Sequence, residues 1–466
     1  MPTLKQAKAV SSTAKKTPKR KHLPAWLGLS LGLTGVALLS ATAGALLAMS
    51  LSSTSLLQSR LRPEDNGTFN QSEIANGSMS LPRLTRPVNV LVIGSKVLRS
   101  ELGGELESSG HDPMVNSLDG LSDSMLLVRF EPDSSKVKVL SIPRDTAAFV
   151  EGLGETKINE ANHLGGPGLT ARTVSRLLDG VGIDRYVRVN LMAVEAMVDA
   201  LGGVEVYVPK EMKYTDNTQH LYIDLKQGKQ RLNGEQAVQF MRFRYDDLGD
   251  IGRIQRQQML LRSLIEQAIG PMTLVRLPKI LSVVQDYLDT NLSIEELVAL
   301  LNFTKDISHD DAQMLMLPGN FNTPATPVSP SYWLPDYERI DTMVAEHFGR
   351  GQQNREAWMA DPSYANVAIQ DSTGDAAAVQ TFINTLIDSG YRNVYDDYPW
   401  TEPIAVTQII AQNGDTQMAE SLRQTLGFGE VVVESTGVIE SDITIRLGRD
   451  WLQRQKQQTK PDVGAI

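Results

Sequence analysis

The amino-acid sequence predicts an α/β protein made of two folded units that follow one N-terminal transmembrane helix. Short apolar runs of strand length alternate with segments whose apolar residues recur every three or four positions, as in amphipathic helices. A proline-rich segment at 322–330 separates a larger α/β unit from a smaller one. With 466 residues, of which 41% are hydrophobic and 21% charged, the chain is long enough to bury at least one large core.

The N-terminal residues indicate a membrane anchor. Residues 1–24 form a basic tail without any acidic residue, and 25–50 are predicted to be the transmembrane helix. Its uncharged run from Ala25 to Met49 would span about 37 Å as a helix, enough to cross a bilayer. A cleaved signal peptide ending near Ala41-Thr-Ala43 is the alternative, but the apolar run exceeds the usual ~7 to 15 residues. We therefore expect a single-pass plasma-membrane protein with a cytoplasmic N-terminus and its main domains outside the cytoplasm.

Composition excludes several classes of function. The formal net charge is −10, so the basic tail indicates membrane topology rather than nucleic-acid binding. The chain has no cysteine, which excludes disulfides, thiol catalysis and thiolate metal sites.

The larger unit is predicted over 87–320, after a stalk at 51–86 that is rich in Ser, Asn and Gly and lacks apolar periodicity. Six segments have strand character: Asn89–Gly94, Met125–Phe130, Val137–Ile142, Tyr186–Val189, Val204–Val208 and Leu221–Leu225. Helices are predicted at Leu169–Asp179, Leu191–Leu201, a short segment capped by Asn233, Ile251–Ile269, Leu274–Leu288 and Ser293–Leu301. The last of these opens with the capping box Ser293-Ile-Glu-Glu296.

The smaller α/β unit is predicted over 366–455, after a polar linker at 321–365. Its strands are expected at Val367–Gln370, Asn393–Tyr395, Thr407–Ala411, Val431–Val433 and Ile443–Leu447, and its helices at Ala376–Ser389 and Gln417–Leu426. We find no clustered set of titratable residues in this unit, so we assign it a binding or scaffolding role.

An arginine-rich segment, 241–258, is the first candidate for a functional site. It holds Arg242, Arg244, Arg253 and Arg256 in an otherwise acidic protein, and guanidinium groups pair bidentately with phosphate. Arg242 and Arg244 share one face only if the backbone is extended, which is the form we expect because one pyrophosphate needs both. Arg253 and Gln257 are four apart and would share one face of a helix, beside Arg256. The alternative is that these arginines only form surface ion pairs with Asp246, Asp247 and Asp250.

A second candidate lies at the end of a predicted strand, in Ser141-Ile-Pro-Arg-Asp145. Pro143 ends the strand, so that Arg144 and Asp145 project from its carboxyl edge, where open α/β sheets bind ligands. Asp123 precedes another strand, after Gly120. Phosphate-binding glycine loops, serine-nucleophile elbows and His-Glu-x-x-His pairs are missing, and the six histidines are scattered. With these signatures missing, the candidate functional residues are arginines and aspartates.

These motifs resemble the LytR-CpsA-Psr (LCP) family. The resemblance rests on Asn89–Gly94, Leu121–Met125, Ser141–Asp145, Lys157–Ala161 with Gly165-Gly166, Leu201–Gly203 and the arginine-rich segment, which occur in order from about residue 87 to 270. It implies a three-layer α/β/α domain with a central mixed sheet, and the smaller unit resembles the LytR C-terminal domain. Proteins of this family are membrane-anchored enzymes that move a glycan phosphate from a polyprenyl pyrophosphate carrier onto peptidoglycan, so a pyrophosphatase side activity is also expected.

The resemblance also implies roles for single residues. Arg144, Arg242, Arg244, Arg253 and Gln257 occupy the positions that grip the pyrophosphate in the family, and Asp123 matches one of two aspartates that hold Mg²⁺. The other aspartate position falls in Gly94-Ser-Lys96, where Lys96 stands instead. Because an ammonium group supplies positive charge locally, we expect Lys96 to replace the Mg²⁺ ion in part.

The expected chemistry is attack by a glycan hydroxyl on the sugar-linked phosphorus. Arg144 stabilises the transferred group, with Asp145 or Asp250 as the proton acceptor. The alternative is that the protein is not catalytic. It would then bind polyprenyl phosphate or wall glycan and have a regulatory role.

Overall fold

Strands and helices alternate along the described residues of the computed structural model, which are 61–65, 67–76, 81–95, 118–217, 221–243, 249–268, 271–304, 307–308, 311–322, 331–349, 365–439 and 441–458. The strands are β1 (Ala75–Asn76), β2 (Arg83–Leu84), β3 (Val88–Ser95), β4 (Ser122–Glu131), β5 (Lys136–Ile142), β6 (Ala147–Val150), β7 (Gly154–Lys157), β8 (Arg185–Val189), β9 (Val204–Val208), β10 (Met212–Asp216), β11 (Leu221–Leu225), β12 (Gly228–Leu232), β13 (Asp289–Thr290), β14 (Ala312–Met316), β15 (Gly319–Phe321), β16 (Trp333–Pro335), β17 (Asn366–Asp371), β18 (Asn393–Asp396), β19 (Gln408–Ile410), β20 (Glu430–Val432) and β21 (Ile443–Leu447).

The helices are α1 (Glu160–Leu177), α2 (Leu191–Ala200), α3 (Gly234–Arg242), α4 (Gly249–Ala268), α5 (Pro271–Val275), α6 (Leu277–Tyr287), α7 (Ile294–Thr304), α8 (Tyr337–His347), α9 (Ala376–Asp388), α10 (Thr416–Leu426) and α11 (Arg449–Gln458). Each predicted strand and helix has a counterpart, with two differences among the helices: α1 begins at Glu160, well before the predicted start at Leu169, and the helix predicted at Leu274–Leu288 is divided into α5 and α6. The predicted capping box of α7 is present, since Ser293 Oγ accepts from the Glu296 backbone N–H at 3.1 Å and Glu296 Oε2 accepts from the Ser293 backbone N–H at 2.9 Å.

The larger unit is centred on a six-stranded mixed sheet of order β13-β8-β3-β4-β5-β14. β4 is antiparallel to both β3 and β5, whereas β8 runs parallel to β3 and β14 runs parallel to β5. Leu91 and Ile93 of β3 face a core that α1 and α8 cover, and Val88 and Val90 face the opposite side, where α7 packs. The helices on both faces explain why β3 is an almost continuous apolar run. The predicted α/β fold with a mixed sheet is confirmed.

The stalk prediction is wrong for part of its range. Phe69 and Ile74 are buried in the cores of the larger unit, and Asp65 is buried beside Arg172, to which it forms an ion pair. Two isolated apolar side chains in a polar segment have no periodicity, so the sequence pattern did not reveal them. The folded part of the chain therefore starts before Pro87.

The linker prediction is also wrong where the structure describes it. Residues 331–349 contain β16 and α8, and Trp333 is only 1% exposed. Asp336 caps α8 by accepting from the Arg339 backbone N–H at 3.2 Å, and Ile340 and Val344 pack into the main core. The apolar residues of α8 have the spacing of an amphipathic helix, but the prolines at 324, 327 and 330 precede it and are typical of a linker.

The smaller unit contains a five-stranded sheet of order β18-β17-β21-β19-β20 with its own apolar core. It covers the outer edge of β14: the Met314 and Met316 backbone N–H groups donate to the carbonyls of Val433 and Gln412 at 3.1 and 2.8 Å. An uncovered edge strand would expose such groups to pairing with other chains. The described residues of both folded units accordingly belong to one compact unit.

The predicted tail at 1–24 and transmembrane helix at 25–50 lie outside the described residues. Within the described ranges, none of the helices combines the length and the apolar character that crossing a membrane requires.

Candidate active site

Three strand ends meet at one edge of the central sheet. Because β4 runs antiparallel to its two neighbours, the end of β3, the start of β4 and the end of β5 lie side by side. The pairing of β3 with β4 is irregular here: Gly94 pairs with Ser124 and Ser95 pairs with Ser122, which leaves Asp123 as an extra residue. Such a bulge redirects a side chain. Asp123, Arg144 and Asp145 are thereby brought together.

Arg144 lies between two carboxylates. Its Nη1 donates to Asp123 Oδ1 at 2.5 Å, and its Nε donates to Asp145 Oδ2 at 3.4 Å. The turn that presents it is closed by Thr146, whose backbone N–H and Oγ1 donate to the Pro143 carbonyl at 3.1 and 2.6 Å. Burial alone would lower the pKa of the Arg144 guanidinium, but Asp123 and Asp145 raise it above its ordinary value. Arg144 is therefore a permanent cation that remains partly accessible to solvent.

Lys157 completes this network and had no role in our sequence-based assignment. Its Nζ donates to Asp145 Oδ1 at 2.7 Å and lies 5.5 Å from the centre of the Tyr332 ring. The hairpin of β6 and β7 pairs Ala147 with Lys157 and so returns Lys157 to the strand end that carries Asp145. A lysine twelve positions after an aspartate carries no local signal, although Lys157 begins one of the motifs that supported the family resemblance.

The hydrogen bonds of Asp145 bear on its predicted role as the proton acceptor. Both carboxylate oxygens of Asp145 accept hydrogen bonds from cations, one from Lys157 and one from Arg144. A carboxylate that is engaged in this way holds its neighbours in place and is less available to take a proton from a substrate. The structure therefore favours a positioning role for Asp145.

The arginine-rich segment spans the junction of α3 and α4. Arg242 is the last residue of α3, and Phe243 after it is extended, so the expectation of an extended backbone at Arg242 is wrong. α3 is opened by Asn233 with a complete capping box and continues through Arg242. Arg244 and Lys96 lie outside the described residues, and nothing is added to their predicted roles.

α4 carries the rest of the segment. It begins at Gly249, two residues earlier than predicted, and includes Asp250, Arg253 and Gln257. Arg253 and Gln257 are thus one helical turn apart, as expected, although the side chains of Asp250 and Arg253 lie outside the described part.

Arg256 has a structural contact that the sequence did not suggest. It is 3% exposed, its Nη2 donates to the Phe243 carbonyl at 2.5 Å, and its guanidinium lies 5.5 Å from the centre of the Phe243 ring. This contact joins Phe243, at the end of α3, to α4. Direct contact of Arg256 with substrate stays a prediction, and the observed geometry favours a positioning role.

Asp123 is the described residue that the family resemblance assigns to Mg²⁺. Mg²⁺ is bound through carboxylate oxygens, water and substrate phosphates. Asp123 already gives one oxygen to Arg144, and within the described ranges no group of three His, Cys, Asp or Glu side chains is arranged to hold a metal ion. The cationic side chains at this edge are arginine and lysine.

The fold and the site together define an α/β protein in which arginine, lysine and aspartate side chains are grouped at one edge of the central sheet. Its family is shown by comparison with known proteins. Residues 53–348, more than half of the chain, match the model of the LytR_cpsA_psr family, and residues 364–451 match that of the LytR cell envelope-related transcriptional attenuator. The chain therefore belongs to the LytR-CpsA-Psr family, and both resemblances noted in the sequence are confirmed.

Several relatives are similar over part of the chain. Regulatory protein MsrR of Staphylococcus aureus (strain COL) is 35% identical over 173 residues, which are 37% of this chain and 51% of MsrR, so the chain spans about half the length of that relative. The polyisoprenyl-teichoic acid–peptidoglycan teichoic acid transferase TagV of Bacillus subtilis (strain 168) is 32% identical over 238 residues, 49% of this chain and 60% of TagV. TagU of Bacillus cereus (strain AH820), a transferase of the same description, is 30% identical over 266 residues, 55% of this chain and 82% of TagU. The crystal structure of B. subtilis TagV aligns with 57% of this chain and 98% of its own at 28% identity, with a TM-score of 0.46.

Proposed function

We propose that this protein is a membrane-anchored phosphotransferase that moves a glycan phosphate from a polyprenyl pyrophosphate carrier to peptidoglycan or another wall acceptor. The observation that carries the proposal is Arg144, a permanent cation held at the sheet edge by Asp123 and Asp145. Membership of the family and the description of TagV and TagU as teichoic acid transferases support it. The lipid carrier lies in the plasma membrane, which fits an anchor at 25–50.

Transfer of a phosphoryl group requires positioning and charge stabilisation more than covalent help from the protein. A glycan hydroxyl attacks the sugar-linked phosphorus and forms a new P–O bond. The bond from that phosphorus to the bridging oxygen breaks, and its electron pair leaves with polyprenyl phosphate. Arg144 stabilises the oxygens of the transferred group, and Arg242, Arg244, Arg253 and Gln257 bind the diphosphate.

The proton of the attacking hydroxyl needs an acceptor. Asp145 and Asp250 were the two candidates from the sequence, and the two charged hydrogen bonds of Asp145 favour Asp250 in this role. Asp145 then keeps Arg144 and Lys157 in place during the reaction. Water in place of the glycan hydroxyl would give the pyrophosphatase side activity.

Positive charge at the diphosphate comes from side chains in this proposal. Asp123 is paired with Arg144, and Lys96 follows directly after β3 at the position where the family has its other aspartate. We expect these cations to do in part what Mg²⁺ would do. Activity that collapses with a chelator and returns with Mg²⁺ would show that this part of the proposal is wrong.

The test is a turnover assay with the full-length protein in detergent, a glycan linked to a polyprenyl pyrophosphate, and peptidoglycan. We expect release of polyprenyl phosphate together with attachment of the glycan. Arg144→Ala should lower the rate by about 10²- to 10³-fold, the usual effect of removing one group that stabilises transition-state charge. Arg423→Ala is the control, because Arg423 pairs with Glu420 on the surface of α10. Equal rates for the two variants would refute the role of Arg144.

The second candidate is a regulatory protein that binds the lipid-linked glycan without turnover. The observation in its favour is the description of MsrR as a regulatory protein. The same assay separates the two, because a binding protein would retain the lipid-linked glycan and release no polyprenyl phosphate.

A further inference from the structure

A buried charged cluster joins α4 to the smaller unit. Glu434 Oε2 accepts from Arg262 Nη1 of α4, and Glu434 Oε1 accepts from Arg446 Nη1 of β21. The side chains of Glu434 and Arg446 are 4% and 1% exposed, and that of Arg262 is 30% exposed. We expected no clustered titratable residues in the smaller unit, and this expectation is wrong. The sequence did not predict this cluster, because Arg262 and Glu434 are 172 positions apart.

Arg446 is held in one orientation by several partners. Its Nη2 donates to the Thr436 carbonyl at 2.7 Å and its Nε donates to Gln370 Oε1 at 3.2 Å. The ring of Trp400 covers the guanidinium at 3.6 Å. Thr436 Oγ1 also donates to Glu434 Oε1, so the carboxylate is fixed in turn. The smaller unit thus presents a rigid carboxylate to α4.

The charge on Glu434 is stable. Burial raises the pKa of this carboxyl group, but the attraction of Arg446 and Arg262 outweighs it and holds the pKa below its ordinary value. Glu434 therefore stays ionised. A buried charge that loses a partner is costly, so a geometry that satisfies both arginines is strongly preferred.

Arg262 lies on the same helix as the candidate diphosphate ligands. At about 1.5 Å per residue, it is about 7 Å along α4 from Gln257 and about 14 Å from Arg253. A contact that fixes the rotation and axial position of α4 at Arg262 fixes them at those two residues as well. The smaller unit also binds β14 through the backbone bonds of Met314 and Met316, and β14 pairs with β5, which leads to Arg144. The two elements that carry predicted diphosphate ligands, α4 and the end of β5, are thus both tied to the smaller unit.

We propose that the smaller unit is a positioning element of the diphosphate site, which acts on α4 through the contact of Glu434 with Arg262. The inference rests on the proposed function, because the site that it positions is the proposed diphosphate site. Arg262 is a positioning residue in this view. Without its contact, α4 can rotate or slide, and Arg253 and Gln257 lose their alignment with Arg144.

The test compares Arg262→Gln with Arg339→Gln in the full-length protein. Arg262→Gln leaves the pair of Glu434 and Arg446 intact, so the smaller unit should still fold. Arg339 is a matched control, since it also joins the smaller unit to the rest of the chain, through Asp442 at 2.6 Å, but from α8. Amide hydrogen exchange over 249–258 measures the ordering of α4, and titration with geranyl pyrophosphate measures diphosphate binding.

We expect Arg262→Gln to speed exchange at 249–258 by about fivefold or more through easier local opening. The dissociation constant for geranyl pyrophosphate should rise about tenfold. Arg339→Gln should change neither, and Arg262→Lys, which keeps the charge, should recover part of the affinity. Faster exchange in Arg262→Gln with an unchanged dissociation constant would show a purely structural contact and would overturn the positioning role.

The inference would be overturned if Arg262→Gln and Arg339→Gln had the same amide exchange rates at 249–258 and the same affinity for geranyl pyrophosphate. Wild-type protein that does not bind geranyl pyrophosphate would instead overturn the proposed function. In that case the exchange comparison still decides whether the smaller unit orders α4, so the two failures are distinguishable.

Discussion

Replacing Asp289 by asparagine should destabilise the larger unit strongly while preserving side-chain shape. Asp289 of β13 accepts from Arg188 Nε at 2.6 Å and from the Tyr186 hydroxyl at 2.9 Å. The side chains of Arg188 and Asp289 are 2% and 1% exposed, so the pair is shielded from water. Removing one partner of a buried pair costs about 3–5 kcal/mol, because the remaining charge is left uncompensated. Arg188 retains Asp119 at 2.8 Å, so we expect the lower end, about 3 kcal/mol.

The same variant should loosen the approach to Asp123. Arg188 Nη1 donates to the Leu118 carbonyl at 3.4 Å as well as to Asp119. Leu118 and Asp119 belong to the turn before β4, and Asp123 lies at the start of β4. We therefore expect the transfer rate to fall together with stability.

Urea unfolding of the full-length protein, followed by circular dichroism, measures the free energy of unfolding. Tyr186→Phe is the matched control, since it removes one neutral hydrogen bond to the same carboxylate and should cost only about 1 kcal/mol. If Asp289→Asn costs no more than Tyr186→Phe, the charge of Asp289 contributes little and the reasoning fails. Equal denaturant slopes in all three proteins are required for the comparison.

Two further predictions concern stability. Burial lowers the pKa of His347, whose Nε2 donates to the Gly414 carbonyl at 3.2 Å. The unfolded chain therefore binds a proton below about pH 6.5 that the folded chain excludes. Stability should fall as the pH drops from about 6.5 towards the lowered pKa, and unfolding measured across this range should show a smaller decline in His347→Gln. Gly168→Ala should cost about 1–3 kcal/mol, because the added Cβ would lie 2.2 Å from Asp65 Cγ, in a side chain held by Arg172. A melting temperature equal to that of the wild type would show that Asp65 moves aside freely.

Local patterns were sufficient to predict most of the fold. The strands β3, β4 and β5 are apolar runs that end at turn residues, and the helix caps at Asn233 and Ser293 lie where the sequence placed them. Arg144 and Asp145 could be assigned to a ligand-binding edge because a proline marks the end of β5. These features depend only on residues within a few positions of each other, and such local patterns can be recognised in a single sequence.

Features that depend on distant neighbours could not be predicted. Phe69 and Ile74 are buried by elements that follow them by many residues, and their own segment is polar. Lys157 reaches Asp145 only because a hairpin folds back. The pairing of Arg262 with Glu434 requires the smaller unit to dock on α4, and no periodicity in either segment signals that docking.

The charge balance at the sheet edge explains why the arginine-rich segment is needed as well. Arg144 and Lys157 are paired with Asp123 and Asp145, so two cations and two carboxylates cancel within this network. A neutral network orients Arg144 but offers little net attraction to a diphosphate, which carries several negative charges. Under the proposed function, binding would draw on cations from another element, and α3 and α4 carry Arg242 and Arg253. The sheet edge would then orient the reacting phosphorus and the helices would supply the affinity, so we expect the position of α4 to matter for function.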